Sequence, residues 1–279
     1  MLNTVFLNNT FTPLQKAKIS VLDRGFLFGD GVYETVPVYN GYFFRAKEHL
    51  KRLSYSLKKI RVENPYTEAQ WLSIFQTLIE KNNVKNASVY LQVTRGVGKD
   101  RSHISAEKLI PTVFIACSEV TSKSIEEIGE GVSAITLEDK RRKDCDMKSI
   151  SLITNILALD ETYEANAQAG IFIRDGFVTE ECLRNIFIVK NNIIKTPKKD
   201  HRILDGITRM SVIDILRDKG YQVTERTITI DEIQEAAKNK TLEEAFGTGT
   251  AVGIAYIQDI GVGEEIIHVS NESPVGLEV

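Results

Sequence analysis

The sequence predicts a mixed α/β (α+β) fold in two domains, a smaller amino-terminal α+β domain and a larger carboxy-terminal domain of sheet and helices. Three observations predict it. In SVYLQVTRG, Val89, Leu91 and Val93 alternate with Tyr90, Gln92 and Thr94, the period of two that half-buries a strand. Leu50, Leu53, Leu57 and Ile60 recur instead at helical spacing, which draws an apolar stripe along one face. The run EVTSKSIEEIGE between Ser118 and Gly131 is polar, charged and aperiodic, as a linker is. The domains are therefore drawn as 1–118 and 131–279, joined by 119–130.

Taken in order, residues 4 to 45 read as short strands separated by turn signals, GFLFGDG and then YNGY. Asn-Gly tolerates positive φ and reads as a hairpin tip. A helix begins near Lys47 and a second follows Pro65, where Thr67 and Gln70 have the spacing of a capping box. TVFIACS and GVSAITLE read as further strands, and KRRKDCD as a charged loop. A helix is expected from about Ser149, with Ile150, Ile153, Leu157 and Ala167 on its apolar stripe and Gly170 ending it. Strand pairs folded at Asp175-Gly176 and Asn191-Asn192 come next, then a helix from Thr208 to near Gly220.

Composition narrows the function. With 35 Lys+Arg against 38 Asp+Glu the net charge is −3, so no basic footprint for nucleic acid or an anionic membrane exists. Cys117, Cys145 and Cys182 are odd in number and widely spaced, which matches neither a disulfide framework nor a metal ligand set. No metal is expected, and a reducing, cytoplasmic setting fits. The start of the chain reads as mature protein rather than a secretory signal, and no window approaches the ~18 uninterrupted apolar residues of a membrane span. No repeat or low-complexity tract suggests a scaffold.

Several segments have chemical potential, each with a plain alternative. Asp205, Gly206 and Thr208 stand just ahead of an apolar helix, either as an anion seat or as an ordinary helix start. FGTGTAVGI offers the hydroxyls of Thr248 and Thr250 on a backbone that admits close approach, or it is a glycine-rich turn. It is neither a P-loop nor a dinucleotide fingerprint. Lys148, between a loop and a helix, is either a desolvated nucleophile or a solvated lysine. Arg52 flanks the stripe of its helix, so periodicity places it in solvent, within reach of a phosphate. Arg101 and His103 occupy a loop at i, i+2, which aims both to one side if the segment is extended.

Together these segments resemble the fold-type IV (class IV) pyridoxal-phosphate-dependent aminotransferases. VLDRGFLFGDGVYETV, EHLKRL, CDMKSISLITNILA, VTEECLRNIFIV, LDGITR and EEAFGTGTAVGI occur in the family's order and spacing across nearly the whole chain. The resemblance implies a two-domain enzyme with pyridoxal 5′-phosphate as cofactor and a pseudo-barrel in the larger domain. It implies that Lys148 forms the Schiff base and then shuttles the Cα proton, and that Glu180 is the carboxylate opposite the pyridine nitrogen. Arg52, Ile207, Thr208 and Thr250 are then phosphate contacts, Gly249 is a further cofactor-binding residue, and Leu204 lies close to the ring.

The subgroup resembled most is D-amino-acid transaminase, because Tyr33, Arg101 and His103 match its carboxylate-binding set. That loop is expected to enter a neighbouring subunit's active site, which implies a homodimer with shared sites. The implied reaction is ping-pong transfer from a D-amino acid such as D-alanine to a 2-oxo acid such as 2-oxoglutarate. Branched-chain L-amino-acid transamination and 4-amino-4-deoxychorismate lysis are the alternatives, and cofactor binding without turnover is the non-enzymatic one. Glu181, Cys182, Leu183 and Arg184 replace the glycine and small hydroxylic residues common after the family's glutamate, and FGTGTAVGI resembles the branched-chain subgroup.

Overall fold

The computed structural model describes residues 2–104, 107–121, 131–270 and 275–278. The contact pattern divides the chain into two units, Met1–Ser122 with Met147–Leu152, and Lys123–Asp146 with Ile153–Val279. The segment that carries Lys148 thus belongs with the first unit. Of the expected linker, 122–130 lies outside the described residues.

In the first unit the strands β1 (Thr4–Leu7), β2 (Thr10–Pro13), β3 (Gly31–Tyr39), β4 (Tyr42–Phe43), β5 (Ala87–Thr94) and β6 (Thr112–Glu119) form one sheet. Its order is β2-β1-β6-β5-β3-β4, antiparallel at every pairing. The hairpin between β3 and β4 turns at Asn40 and Gly41, both at positive φ, as the Asn-Gly pair demands. Alternation sends Val32, Val36 and Val38 of β3 and Val89, Leu91 and Val93 of β5 into the core. There they meet Leu50, Leu53 and Leu57 of α2 (Ala46–Lys59) and Trp71, Phe75 and Leu78 of α3 (Glu68–Lys81). The Thr67/Gln70 capping box is formed in both directions at the start of α3, which stabilises that helix end by about 1 kcal/mol.

GFLFGDG is more than a turn. Arg24–Phe28 makes a short helix, α1, whose N-cap Asp23 accepts from the Gly25 N–H and whose end is closed by Gly29 at φ 63°. A side chain at Gly29 would also press on Ser151 Oγ.

The second unit has a ten-stranded mixed sheet. Its strands are β7 (Val132–Glu138), β8 (Ala169–Arg174), β9 (Phe177–Glu181), β10 (Asn185–Lys190), β11 (Ile193–Thr196), β12 (Val223–Glu225), β13 (Ile228–Thr229), β14 (Leu242–Gly249), β15 (Gly253–Val262) and β16 (Glu265–His268). The order is β12-β11-β10-β14-β15-β7-β8-β9-β13, with β16 also paired to β15. β11–β12, β15–β7 and β7–β8 are parallel. Type I′-like tips with two consecutive positive φ values occur at Asp175-Gly176 and Asn191-Asn192, as the sequence predicts. Helices α4 (Ile153–Glu164), α5 (Ile207–Asp218) and α6 (Ile230–Lys238) belong to this unit.

Two expectations change here. The helix expected from Ser149 to Gly170 spans only Ile153–Glu164, and Gly170 lies within β8, where an added Cβ would crowd Cys182, Leu137 and Thr162. The supposed stripe is also turned outward. Ala158 and Thr162 are the buried residues of α4, while Ile153, Ile156, Leu157 and Tyr163 are exposed. Apolar spacing marks a helix but does not say which apolar face the fold covers.

Candidate active site

The first unit presents a lysine, a tyrosine and a buried arginine around β3. Met147–Leu152 runs along this strand: Tyr33 N–H donates to the Lys148 carbonyl at 2.9 Å, and Val32 bridges Ser149. The Lys148 N–H donates to Ser56 Oγ of α2 at 3.1 Å. Lys148 Nζ stands 4.3 Å from the Tyr33 ring centroid, a cation–π distance. Tyr33 also packs against Tyr90, whose phenol is pushed up to about 12 by burial, with Tyr33 adding to it.

Neighbours in a strand point to opposite faces, so Glu34 projects towards α2. It is fully buried and binds two side chains one helical turn apart. His49 Nδ1 lies 2.8 Å from Oε2, and Arg52 donates Nε to Oε1 at 2.7 Å and Nη2 to Oε2 at 2.9 Å. Burial pushes the Glu34 carboxyl up, but the charge and hydrogen bonds of Arg52, with His49, overcome it and hold the pKa at about 2. Arg52 is only 8% exposed, which corrects its assignment to solvent. The missing signal was Glu34, an acid in a strand that faces the helix.

Arg101 and His103 are brought together by Phe28. The Arg101 guanidinium lies 5.4 Å from the Phe28 ring centroid and the His103 ring 5.2 Å away. Both residues are exposed.

The second unit gathers Glu180, Leu204, the start of α5 and the end of β14. Glu180 Oε1 is ion-paired to Arg141 Nη1. Its Oε2 accepts from Asn185 Nδ2 and from the Leu204 N–H, each at 3.1 Å. Burial raises the Glu180 pKa, while Arg141 and the Leu204 N–H oppose the rise. Arg141 is itself aligned by a bidentate bond to Asp139, at 2.8 and 2.9 Å, and lies over the Phe172 ring. Nothing in the basic run KRRK distinguishes Arg141 from its neighbours; only the fold does.

Asn185 ties this carboxylate to the helix start. It donates to the Leu204 carbonyl at 2.9 Å and pairs across the sheet with Thr248. A Cβ on Gly206 would fall 2.0 Å from Asn185 Oδ1. Gly206 caps α5 with no side-chain hydrogen bond, so the first-turn N–H groups, Ile207 and Thr208 among them, keep the donor character and positive end of a helix terminus.

After Glu180, Glu181 and Arg184 form a second pair, with Arg184 Nε 2.8 Å from Glu181 Oε2. Neither Glu181 oxygen has a directed hydrogen bond. Burial pushes this carboxyl up to about 7, Arg184 opposing and Glu180 adding to the rise. The Arg184 stem lies on β14, where a Cβ at Gly247 or Gly249 would come within 3.1 or 3.0 Å of it. The glycines of FGTGT therefore make room for Arg184.

The sequence matches the family of class IV amino-transferases over residues 31–260. The chain belongs to the class IV aminotransferases. Among its relatives, the D-alanine aminotransferase of Listeria monocytogenes serovar 1/2a (strain ATCC BAA-679 / EGD-e) is 37% identical over 92% of this chain and 87% of its own length. That of Bacillus licheniformis is 36% identical over 92% and 88%. The branched-chain aminotransferase of the thermophilic archaeon Thermoproteus uzoniensis, solved with norvaline, superposes with a TM-score of 0.86 over 100% of this chain and 92% of its own, at 26% identity.

The residues of this class IV aminotransferase fit pyridoxal 5′-phosphate on geometry. Thr248 Oγ1 is buried without a hydrogen-bond partner and its residue pairs across the sheet with Asn185, whose amide meets the start of α5, an arrangement that offers an anion a hydroxyl and N–H donors. Among the described residues no cluster fit to hold a metal ion occurs.

Proposed function

We propose that this enzyme transfers the amino group of a D-amino acid such as D-alanine to a 2-oxo acid such as 2-oxoglutarate, in the two half-reactions of a ping-pong cycle. The observation that carries this reading is the similarity, at 37% identity over 92% of the chain, to proteins that are D-alanine aminotransferases. The meeting of Arg101 and His103 on Phe28 supports it, because a guanidinium and an imidazole side by side suit a carboxylate.

When bound, pyridoxal 5′-phosphate supplies an electron sink for charge that develops at the substrate Cα. Lys148 would hold the cofactor through its amine, and the same amine would take the substrate Cα proton and return it. Tyr33 orients that amine from below. Glu180, supported by Arg141, would set negative charge at the pyridine nitrogen, and Leu204, whose N–H donates to Glu180, would lie close to the ring. Arg52, Ile207, Thr208 and Thr250 would take the phosphate, the helix start through its N–H groups, with Gly249 a further cofactor contact. Tyr33, Arg101 and His103 grip the substrate carboxylates.

The enzyme works as a homodimer whose Arg101–His103 loop serves the active site of the second copy. The exposed Ile153, Ile156, Leu157 and Tyr163 support association. We place it in the cytoplasm, consistent with three buried cysteines that are all free. Among the described residues no helix is long and apolar enough to cross a membrane.

The test is the absorption spectrum of the reconstituted enzyme before and after D-alanine, with no acceptor present. Conversion of the visible band to that of the amine form is expected. No conversion with D-alanine, but conversion with L-leucine, would assign the branched-chain activity instead.

A further inference from the structure

Apart from Phe28, the segment Asp23–Asp30 has no part in the roles assigned above, yet it is bound closely to the chain that carries Arg101 and His103. Arg24 is buried, and its guanidinium is spread over three acceptors. Nη1 donates to the Ser102 carbonyl at 2.7 Å, Nη2 to the His103 carbonyl at 3.0 Å and Nε to Asp30 Oδ2 at 2.9 Å. Asp30 is shared with Arg95, which donates Nε to Oδ2 at 2.7 Å and Nη2 to Oδ1 at 2.9 Å. The main chain adds Arg24 N–H to the Gly96 carbonyl at 2.9 Å and Gly98 N–H to the Leu22 carbonyl at 3.1 Å. One turn along α1, Phe28 receives the Arg24 guanidinium at 4.8 Å as well as the Arg101 and His103 side chains.

We propose that Arg24 is a positioning residue for substrate: its fork captures two consecutive carbonyls of the Arg101–His103 loop and fixes where those two side chains stand, with Phe28 as the platform beneath them. A fork of fixed geometry suits this task, because two parallel N–H groups orient a peptide segment that a single ammonium only attracts. Asp30 and the two carbonyls occupy the Arg24 guanidinium, so Arg101 is the guanidinium left free to meet a substrate carboxylate. Ordering a loop before substrate arrives removes that cost from binding, so the effect falls on KM.

The inference rests on the D-amino-acid transamination proposed above. Arg24→Met, Arg24→Lys and Phe28→Leu are compared with the unmodified holoenzyme in steady-state assays with D-alanine and 2-oxoglutarate, and by hydrogen exchange over residues 98–104 without substrate. For Arg24→Met the KM for 2-oxoglutarate is expected to rise about tenfold, kcat to fall less than threefold or so, the cofactor spectrum to stay unchanged, and exchange in the loop to quicken. Arg24→Lys, able to reach one carbonyl at a time, falls between, and Phe28→Leu moves KM the same way with the fork intact. Unchanged KM and unchanged exchange in Arg24→Met and Phe28→Leu overturn the proposal, as does loss of kcat and cofactor together at constant KM. If Arg24→Met does not fold, Arg24→Lys and Phe28→Leu decide. An unmodified enzyme inert to D-alanine would defeat the transamination reading alone, because the exchange measurement needs no turnover.

Discussion

Arg52 grips Glu34 through two near-parallel hydrogen bonds, 2.7 Å from Nε and 2.9 Å from Nη2, with the carboxylate wholly out of water. The geometry fixes the guanidinium plane. Removing one member of such a pair leaves the other buried and uncompensated.

Glu34→Gln is therefore expected to lower stability by about 3–5 kcal/mol at pH 7. The Glu34 pKa is depressed to about 2 from 4.5, so its contribution is present above pH 4.5 and is lost as pH falls towards 2. Urea unfolding of both proteins across that range checks this. A stability gap between them that did not shrink over pH 4.5 to 2 would contradict the assignment.

Glu181 carries the opposite sign. Its carboxyl is raised from 4.5 to about 7, so the stabilisation it contributes is full below pH 4.5 and is lost as pH rises through 7, by roughly 3 kcal/mol at most. In Glu181→Gln that slope between pH 5 and 8 is expected to flatten. Tm measured against pH for the two proteins reads it directly, and parallel curves would refute it.

Gly206→Ala tests the link from the helix start to Glu180. An added Cβ 2.0 Å from Asn185 Oδ1 displaces the amide that donates to Glu180 at 3.1 Å. Loss of a hydrogen bond to a charged group costs about 1.5–3 kcal/mol, so cofactor affinity is expected to weaken roughly 10- to 100-fold. Fluorescence titration of the apo protein with pyridoxal 5′-phosphate gives the number.

Lys148→Ala is expected to reduce transamination at least about 10³-fold, because the proton shuttle goes with the amine. Arg101→Ala is expected instead to spare cofactor affinity and to raise the KM for 2-oxoglutarate. Equal losses of cofactor binding and acceptor binding in Arg101→Ala would remove it from the carboxylate trap.

How much of this was legible depends on the range of the interaction. The hairpin tips at Asn40-Gly41, Asp175-Gly176 and Asn191-Asn192 and the capping box at Thr67 and Gln70 are local, set by the conformations those residues tolerate. Arg141 and Arg24 were not legible. Arg141 is one of several basic residues in a charged run, and Arg24 follows an acid in what reads as a turn; each acquires its role from a partner about 40 to 80 positions away. Glu181 and Arg184 stood out as a departure, yet their pairing over Gly247 and Gly249 required the sheet register.

By itself the sequence determined the mixed α/β class, the turns and caps, the membership of the class IV aminotransferases and the positions to inspect: Lys148, Arg52, Glu180, Tyr33, Arg101 and His103. Tertiary structure alone decided that Arg52 is buried on Glu34, that Lys148 lies over Tyr33, that α4 turns its apolar side outward, and that Arg24 holds the Ser102 and His103 carbonyls. The physical reason is that local conformation depends on a few neighbouring residues, whereas burial and charge pairing depend on which distant segments the sheets bring together.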